Sequence, residues 1–223
     1  MIYALPILGV ILSFAFVYIV RPKKKEHFKL VLAFSGAFLL ALTIFELLPE
    51  VYENAESKTV GVFIMLGILL QIFLEFFSKG AEHGHVHISS KEVSFPWMLF
   101  LSLSIHSFLE GFPIQNNDMI VYGILIHKIP IAVIISIFLL GSKLKPVYSI
   151  FFMLLFAIMT PLGTYMAGSI ALFAKYAVAI NALAIGVFLH ISTVILFESS
   201  EGHKFNLQKL LVIILGIIIA YFL

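Results

Sequence analysis

The chain has 223 residues, of which 61% are hydrophobic and 12% are charged, and its formal net charge is +2. So little polar surface excludes a soluble globule, and the small net charge argues against a nucleic-acid partner. The absence of cysteine excludes disulfides and thiolate metal sites, so a transition metal would need His, Asp, Glu, Met or backbone oxygen as ligands.

Eight apolar segments of spanning length follow one another along the chain. They lie at about 2–20, 28–49, 59–78, 95–113, 119–140, 146–170, 176–197 and 206–223. Because membrane barrels need short alternating strands, these continuous runs predict an all-α, polytopic membrane protein, a bundle of eight transmembrane helices. We expect one transmembrane domain over residues 1–223 and no cleaved leader, since no basic stretch precedes the first run.

Basic residues predict the orientation of this bundle. Most of them lie in or beside the loops that follow the first, third, fifth and seventh runs: Arg21, Lys23, Lys24, Lys25, Lys29, Lys79, Lys91, Lys143, Lys145, Lys204 and Lys209. Only Lys58 and Lys175 fall on the opposite side. The positive-inside rule makes those loops cytoplasmic and both termini extracytoplasmic. We therefore expect a multi-pass integral protein of the cell (inner) membrane.

The longest loop, about 79–94, carries alternating histidines at His83, His85 and His87. Neutral imidazole binds divalent cations, so this cytoplasmic loop is a candidate for accessory metal capture. A solvated loop that is merely rich in histidine explains the same pattern.

The fourth and fifth runs carry the strongest polar candidates. His106 and Glu110 are four residues apart, which places them on one helix face, about 40° apart around the axis and roughly 6 Å along it. His127 and Lys128 follow in the next run. A charge at mid-membrane costs about 2.5–3.5 kcal/mol, so these groups should face the bundle interior. His106, Glu110 and His127 together predict a Zn²⁺ or Fe²⁺ site, whereas each alone could be a packing hydrogen bond or half of a buried ion pair.

Prolines lie close to these residues. Pro130 and Pro161 remove backbone donors and should free the carbonyl groups of Ile126 and Ala157. A helix broken there would suit a cation pathway, and a simple packing kink is the alternative.

Weaker candidates lie nearer the two membrane surfaces. Glu46 and Asp118 are candidates for a cation entrance on the external side, with helix-end solvation as the alternative. His190, together with Glu75 near the inner end of the third run, is a candidate for an exit route. A packing hydrogen bond is the favoured interpretation of His190.

Four motifs carry a resemblance to a known family. The chain reads Phe34-Ser-Gly-Ala-Phe-Leu-Leu up to Leu47-Leu-Pro-Glu50, then His106-Ser-Phe-Leu-Glu-Gly111, His127-Lys-Ile-Pro130 and Thr160-Pro-Leu-Gly163. This pattern resembles the ZIP (Zrt- and Irt-like) family of divalent metal transporters, in the subgroup with His-Lys in the fifth span. The resemblance implies eight spans, external termini and a metal site between the fourth and fifth spans, made by His106, Glu110 and His127. It also implies import toward the cytoplasm by alternating access, often as a homodimer, and no enzymatic activity.

Some positions depart from the family pattern. Where some members bind a second metal, this chain has Ser107, Lys128 and Thr160, and Ile131 stands where many members have Glu. We expect the Lys128 ammonium to replace the second metal, which predicts a single ion at this site.

The sequence leaves alternatives open for the transported ion and for the class of protein. Zn²⁺ is the favoured substrate, and Fe²⁺, Mn²⁺, Co²⁺ and Cd²⁺ fit the same ligands. No resident cofactor is expected. A membrane metal sensor that does not transport is an alternative. An intramembrane metalloenzyme is disfavoured because the chain has no His-Glu-x-x-His helix and no aspartate within a span.

Overall fold

The computed structural model describes residues 3–22, 26–78, 95–115, 119–198 and 207–223. These ranges contain ten α-helices and no strand. The helices are α1 Ala4–Val20, α2 Glu26–Leu42, α3 Leu48–Asn54, α4 Ser57–Ser78, α5 Trp97–Leu109, α6 Ile120–Gly141, α7 Pro146–Ser169, α8 Ala171–Lys175, α9 Ala177–Glu198 and α10 Leu207–Tyr221. The predicted metal-capture histidines His83, His85 and His87, and the entrance candidate Asp118, lie outside the described residues.

Six segments of the described chain are long and apolar enough to cross a membrane. They are Lys29–Asn54, Ser57–Ser78, Trp97–Gln115, Ile120–Gly141, Pro146–Ser169 and Ala177–Phe197. The prediction of an all-α polytopic membrane protein is therefore confirmed. Helices α1 and α10 are apolar but have only 17 and 15 residues. They are about 26 and 23 Å long against a hydrocarbon core of about 30 Å, so the count of eight spans stays a prediction, as does the orientation of the termini.

The second predicted span is not a uniform α-helix. Between α2 and α3 the backbone widens into a π-helical turn over Thr43–Leu47. Pro49 follows this turn and has no N–H to donate to the carbonyl of Phe45, which removes one α-helical hydrogen bond. Glu46 lies within the turn, and its side chain is exposed.

The start of α4 is fixed by a local cap. The carboxylate of Glu56 accepts hydrogen bonds from the hydroxyl and the backbone N–H of Thr59. These two bonds lower the pKa of Glu56 below its ordinary value, and the bond from the Thr59 hydroxyl has the larger effect. The cap orients the short connection between α3 and α4.

Neither internal proline breaks its helix. Helix α6 runs through Pro130 and α7 runs through Pro161. Of the two interpretations of these prolines, the broken helix is not observed, and the packing kink stays a prediction. Membrane helices tolerate proline where neighbouring helices and side chains satisfy the freed backbone groups.

Helices α5 and α7 cross at backbone contact, and this crossing positions the polar centre. A methyl group on Gly163 would overlap the carbonyl oxygen of Phe108, and one on Gly111 would overlap the carbonyl oxygen of Thr160. The hydroxyl of Thr164 donates to the carbonyl of Gly111 at 2.8 Å. Small residues therefore bring the end of α5 directly against the middle of α7.

The described spans pack as two groups of four helices. In the first group α1 packs on α6 and α7, and α7 packs on α5 and α6. In the second group α9 packs on α4 and α2, and α2 packs on α10. The groups meet chiefly where α2 packs on α6 and α4 packs on α5. The larger buried apolar cluster draws mainly on the first group, with Phe152 and Phe156 of α7 among its members. The polar centre lies inside this first group, between α5, α6 and α7.

Candidate metal site between α5, α6 and α7

The carboxylate of Glu110 stands at the end of α5. The helix ends at Leu109, and the Glu110 N–H still donates to the carbonyl of His106 at 3.0 Å. His106 and Glu110 are 2% and 1% exposed, and His106 Nε2 lies 3.3 Å from Glu110 Oε2. The predicted placement of this pair on one buried face is confirmed.

Lys128 of α6 is buried against the same carboxylate. Its ammonium donates to Glu110 Oε1, to Ser107 Oγ at 2.8 Å and to Thr160 Oγ1 at 2.7 Å. The Thr160 hydroxyl in turn donates to Glu110 Oε1 at 2.7 Å. All three ammonium protons therefore have an acceptor, which is the condition under which a buried lysine is tolerated.

An aromatic ring covers the remaining side of the ammonium. Lys128 Nζ lies 4.4 Å from the centre of the Phe156 ring. Phe156 precedes Thr160 by one turn of α7, so both side chains lie on the face toward Lys128. The sequence analysis missed Phe156; the signal for it was this spacing of four residues from Thr160.

His127 of α6 brings a second imidazole to the centre. Its side chain is 1% exposed, and its ring centre lies 6.1 Å from that of His106, with the two planes at 80°. Nδ1 of His106 is buried and has no hydrogen-bond partner among the described residues. An imidazole nitrogen left in this condition is available for an ion or a water molecule.

Zinc geometry gives a test of fit for these three side chains. Ligand atoms at about 2.0–2.1 Å in a tetrahedron are about 3.3 Å apart, and two coordinating imidazole rings have centres about 5 Å apart. The separation of 3.3 Å between His106 Nε2 and Glu110 Oε2 fits this geometry. The distance of 6.1 Å between the ring centres of His106 and His127 is too wide. Accordingly, no group of three His, Cys, Asp or Glu side chains in the described part of the chain is close enough to hold a metal. Binding would need His127 to approach by about 1 Å and Glu110 to be shared with the ion rather than with Lys128.

Three of the four departures from the family pattern form one network. Ser107, Lys128 and Thr160 are joined to one another and to Glu110 by hydrogen bonds. Ile131 is different: it is 2% exposed and belongs to the large apolar cluster. One turn after His127, the helix therefore offers hydrocarbon where a carboxylate could have stood.

The peripheral candidates lie on other elements. Glu46 is exposed in the π-helical turn. His190 of α9 contacts Glu75 of α4, with Nε2 2.7 Å from Oε2. His190 was interpreted either as part of an exit route or as a packing hydrogen bond. Glu75 is the partner that such a hydrogen bond requires.

These observations define a class: a helical multi-pass membrane protein with a buried carboxylate held between an imidazole and a lysine. Residues 79–223, more than half of the chain, match the family model described as ZIP Zinc transporter. The chain belongs to this family, which is a family of transporters rather than enzymes. The resemblance to the family is confirmed, and the subgroup with His-Lys in the fifth span stays a prediction.

Individual relatives agree with this assignment. The chain is 41% identical to the zinc transporter ZIP1 of Danio rerio over 93 residues, covering 38% of this chain and 30% of the relative. It is 30% identical to the zinc transporter ZIP1 of Takifugu rubripes over 151 residues, covering 60% and 49%. It is 28% identical to the protein zntD of Dictyostelium discoideum over 162 residues, covering 62% and 24%. The chain thus spans between a quarter and a half of the length of these relatives.

Proposed function

We propose that this protein transports divalent transition metals, with Zn²⁺ as the principal substrate. The observation that carries the proposal is Glu110, a fully buried carboxylate that is shared between His106 and the ammonium of Lys128. Membership of the family and the names of its zinc-transporting relatives support the choice of substrate. Fe²⁺, Mn²⁺, Co²⁺ and Cd²⁺ suit the same donor atoms and are further substrates of the proposed site.

His106, Glu110 and His127 are the proposed ligands. Two imidazoles and one carboxylate leave room for water in a four-coordinate shell. Such an incomplete protein shell holds an ion less tightly than a closed structural site does, so the ion can be released on the other side of the membrane.

Lys128 limits the proposed site to one ion. Its ammonium lies beside Glu110 and keeps Ser107 and Thr160 as acceptors when the carboxylate turns to a metal. A second divalent cation at this position would face a fixed positive charge in a medium of low dielectric. Glu110 is thereby neutralised by Lys128 in the empty site and by the ion in the loaded one.

The basic end of the bundle supports its proposed orientation. Arg21, Lys143, Lys145 and Lys209 lie at the ends of α1, α6, α7 and α10 that the positive-inside rule assigns to the cytoplasm. With α1 and α10 as the first and eighth spans, both termini are external. The resemblance to family members adds import across the cell membrane to the proposal. In this arrangement Glu46 stands at the entrance and His190 stands toward the exit.

Alternating access is the proposed mechanism of release. The two groups of helices, α1, α5, α6 and α7 against α2, α4, α9 and α10, support it because helix contacts link the members of each group. The resemblance to family members adds a homodimer to the proposal. Light scattering of the purified protein in detergent measures its oligomeric state.

Uptake of radioactive Zn²⁺ into proteoliposomes tests the function. We expect accumulation with the native protein and at least a tenfold loss in His106→Ala and Glu110→Ala, because second-sphere changes alone cost 10- to 100-fold at metal sites. Ser35→Ala is the control: Ser35 is buried in α2 and its hydroxyl bonds the carbonyl of Leu32 in its own helix. Native accumulation in both ligand variants would refute the site. Zn²⁺ binding without any accumulation would indicate the sensor instead.

A further inference from the structure

Helices α4 and α9 form a second backbone crossing, away from the central site. A methyl group on Gly67 would overlap the carbonyl oxygen of Leu183, and one on Gly186 would overlap the carbonyl oxygen of Ile64. Because no side chains separate the helices here, the side chains one and two turns further along α4 are pressed against α9. Those two positions of α4 carry polar groups, Gln71 and Glu75.

The first polar contact beyond the crossing joins Glu75 to His190. Oε2 of Glu75 lies 2.7 Å from Nε2 of His190, and the two side chains are 25% and 15% exposed. The central site uses neither of them. A carboxylate and an imidazole already in contact on two helices supply two of the ligand types that Zn²⁺ and Co²⁺ prefer.

Gln71 is a candidate third donor, one helical turn before Glu75 on α4. It precedes Glu75 by four residues, so the two side chains lie on one face of α4. Gln71 is 0% exposed, and among the described residues neither its Oε1 nor its Nε2 has a hydrogen-bond partner. An unsatisfied buried amide costs about 1–3 kcal/mol, so a group kept in this state calls for an ion or a water molecule to satisfy it.

We propose that Oε1 of Gln71, the carboxylate of Glu75 and Nε2 of His190 form a second binding site for a divalent transition cation. A tetrahedral ion needs ligand atoms about 3.3 Å apart, so the Glu75–His190 pair has to open by only about 0.6 Å. On binding, the two N/O–metal bonds replace the hydrogen bond between the pair, and any proton on Nε2 leaves to water. The donor set carries one negative charge and attracts a cation.

The inference rests on the proposed function only for the role of this site. Glu75 and His190 lie on the half of the bundle that ends with Ser78 and Glu198, the end proposed to be cytoplasmic. An ion that has left Glu110 would be held there before release. Binding itself is argued from the geometry alone.

Equilibrium binding of Zn²⁺ to the full chain in detergent tests the inference. All proteins carry His83→Ser, His85→Ser and His87→Ser, and the central site is disabled by His106→Ala and His127→Ala. We expect this background to bind one ion per chain, with at least a tenfold loss of affinity on adding Glu75→Gln and about a tenfold loss on adding Gln71→Leu. Thr193→Val is the matched control, because the Thr193 hydroxyl bonds the carbonyls of Leu189 and His190 in its own helix.

Each outcome decides between the sites. No bound ion in the background protein, or an ion whose affinity survives Glu75→Gln, overturns the second site and leaves the central site untouched. A native chain that neither binds nor transports Zn²⁺ overturns the proposed function instead. If Glu75→Gln does not fold, Gln71→Glu replaces it: a carboxylate at the amide position should tighten binding about tenfold, and unchanged affinity contradicts the proposal.

Discussion

Lys128 is the residue whose burial most needs an explanation. Its side chain is 2% exposed, and the three acceptors and the Phe156 ring around its ammonium replace the water it has lost. Breaking a buried pair by removing one partner typically costs about 3–5 kcal/mol, because the other charge stays buried without compensation. The same ammonium competes with any metal for Glu110.

Replacing Lys128 by glutamine separates these two effects. In Lys128→Gln we expect the metal-free protein to unfold at a lower temperature, by about 3 kcal/mol of unfolding free energy, since Glu110 loses its counter-charge. We expect Zn²⁺ to raise the Tm more than it does in the native protein, because the ion no longer displaces an ammonium. Thermal unfolding in detergent with and without Zn²⁺ measures both.

Lys209→Gln is the control for this comparison. Lys209 donates to the carbonyl of Leu196 at 2.6 Å and belongs to α10, which does not reach the central site. Its replacement should lower the Tm without changing the rise caused by Zn²⁺. An unchanged Zn²⁺ effect in Lys128→Gln would make that lysine a structural ion pair only.

The central residues differ in how far the sequence could predict them. The position of His106 and Glu110 on one helix face follows from their spacing of four residues. The cost of an intramembrane charge predicts that Lys128 points toward the bundle interior. Phe156 and Gln71 were not predicted from the sequence, because an aromatic residue or a lone glutamine in an apolar run has no preferred partner until the neighbouring helices are placed. Glu75 and His190 were both candidates for an exit route, but their direct contact could not be predicted because it joins residues 115 positions apart.

At the level of helices, apolar length predicted the six long spans of the described chain but not which spans pack against each other. The α5–α7 contact depends on Gly111 and Gly163, which lie in separate spans and carry no signal of mutual recognition. Nor did hydropathy reveal the π-helical turn after Leu42 or the continuity of α6 and α7 through their prolines. These features are set by tertiary contacts that satisfy or displace backbone hydrogen bonds.

The α5–α7 crossing leads to a prediction about transport. In Gly163→Ala the new methyl group would overlap the Phe108 carbonyl, so α7 must move away from α5 and carry Thr160 away from Glu110. We expect a lower Tm and at least a severalfold loss of Zn²⁺ flux, because small displacements at a binding constellation are costly. Thermal unfolding and proteoliposome uptake measure the two effects.

Gly61→Ala is the matched control for that substitution. A methyl group on Gly61 of α4 meets nothing within 4 Å, so the same chemical change leaves the packing intact. Alanine is also the better helix former by about 1 kcal/mol. Native flux in Gly163→Ala, alongside native flux in Gly61→Ala, would show that this crossing does not position the site.

For the whole molecule, the two groups of helices make relative movement testable by cross-linking. The chain has no cysteine, so introduced pairs have no background. A Cβ at Gly123 of α6 would lie 3.7 Å from Cγ of Leu42 in α2, across the boundary between the groups. A Cβ at Gly9 of α1 would lie 3.9 Å from Cγ of Leu125 in α6, within one group. The Cγ of a leucine stands close to where the Sγ of a cysteine would lie, and in a disulfide that sulfur is about 3.0 Å from the facing Cβ, so both pairs are within about 1 Å of disulfide geometry.

If alternating access moves one group against the other, only the first disulfide should stop transport. We expect oxidation of Leu42→Cys/Gly123→Cys to abolish Zn²⁺ uptake and reduction to restore it. Oxidation of Gly9→Cys/Leu125→Cys should leave uptake within about twofold of the reduced protein, because that bond joins helices that would move together. Unimpaired uptake with the α2–α6 bond fully formed would contradict movement at this boundary. Loss of uptake with the α1–α6 bond would place the movement inside the group that holds Glu110.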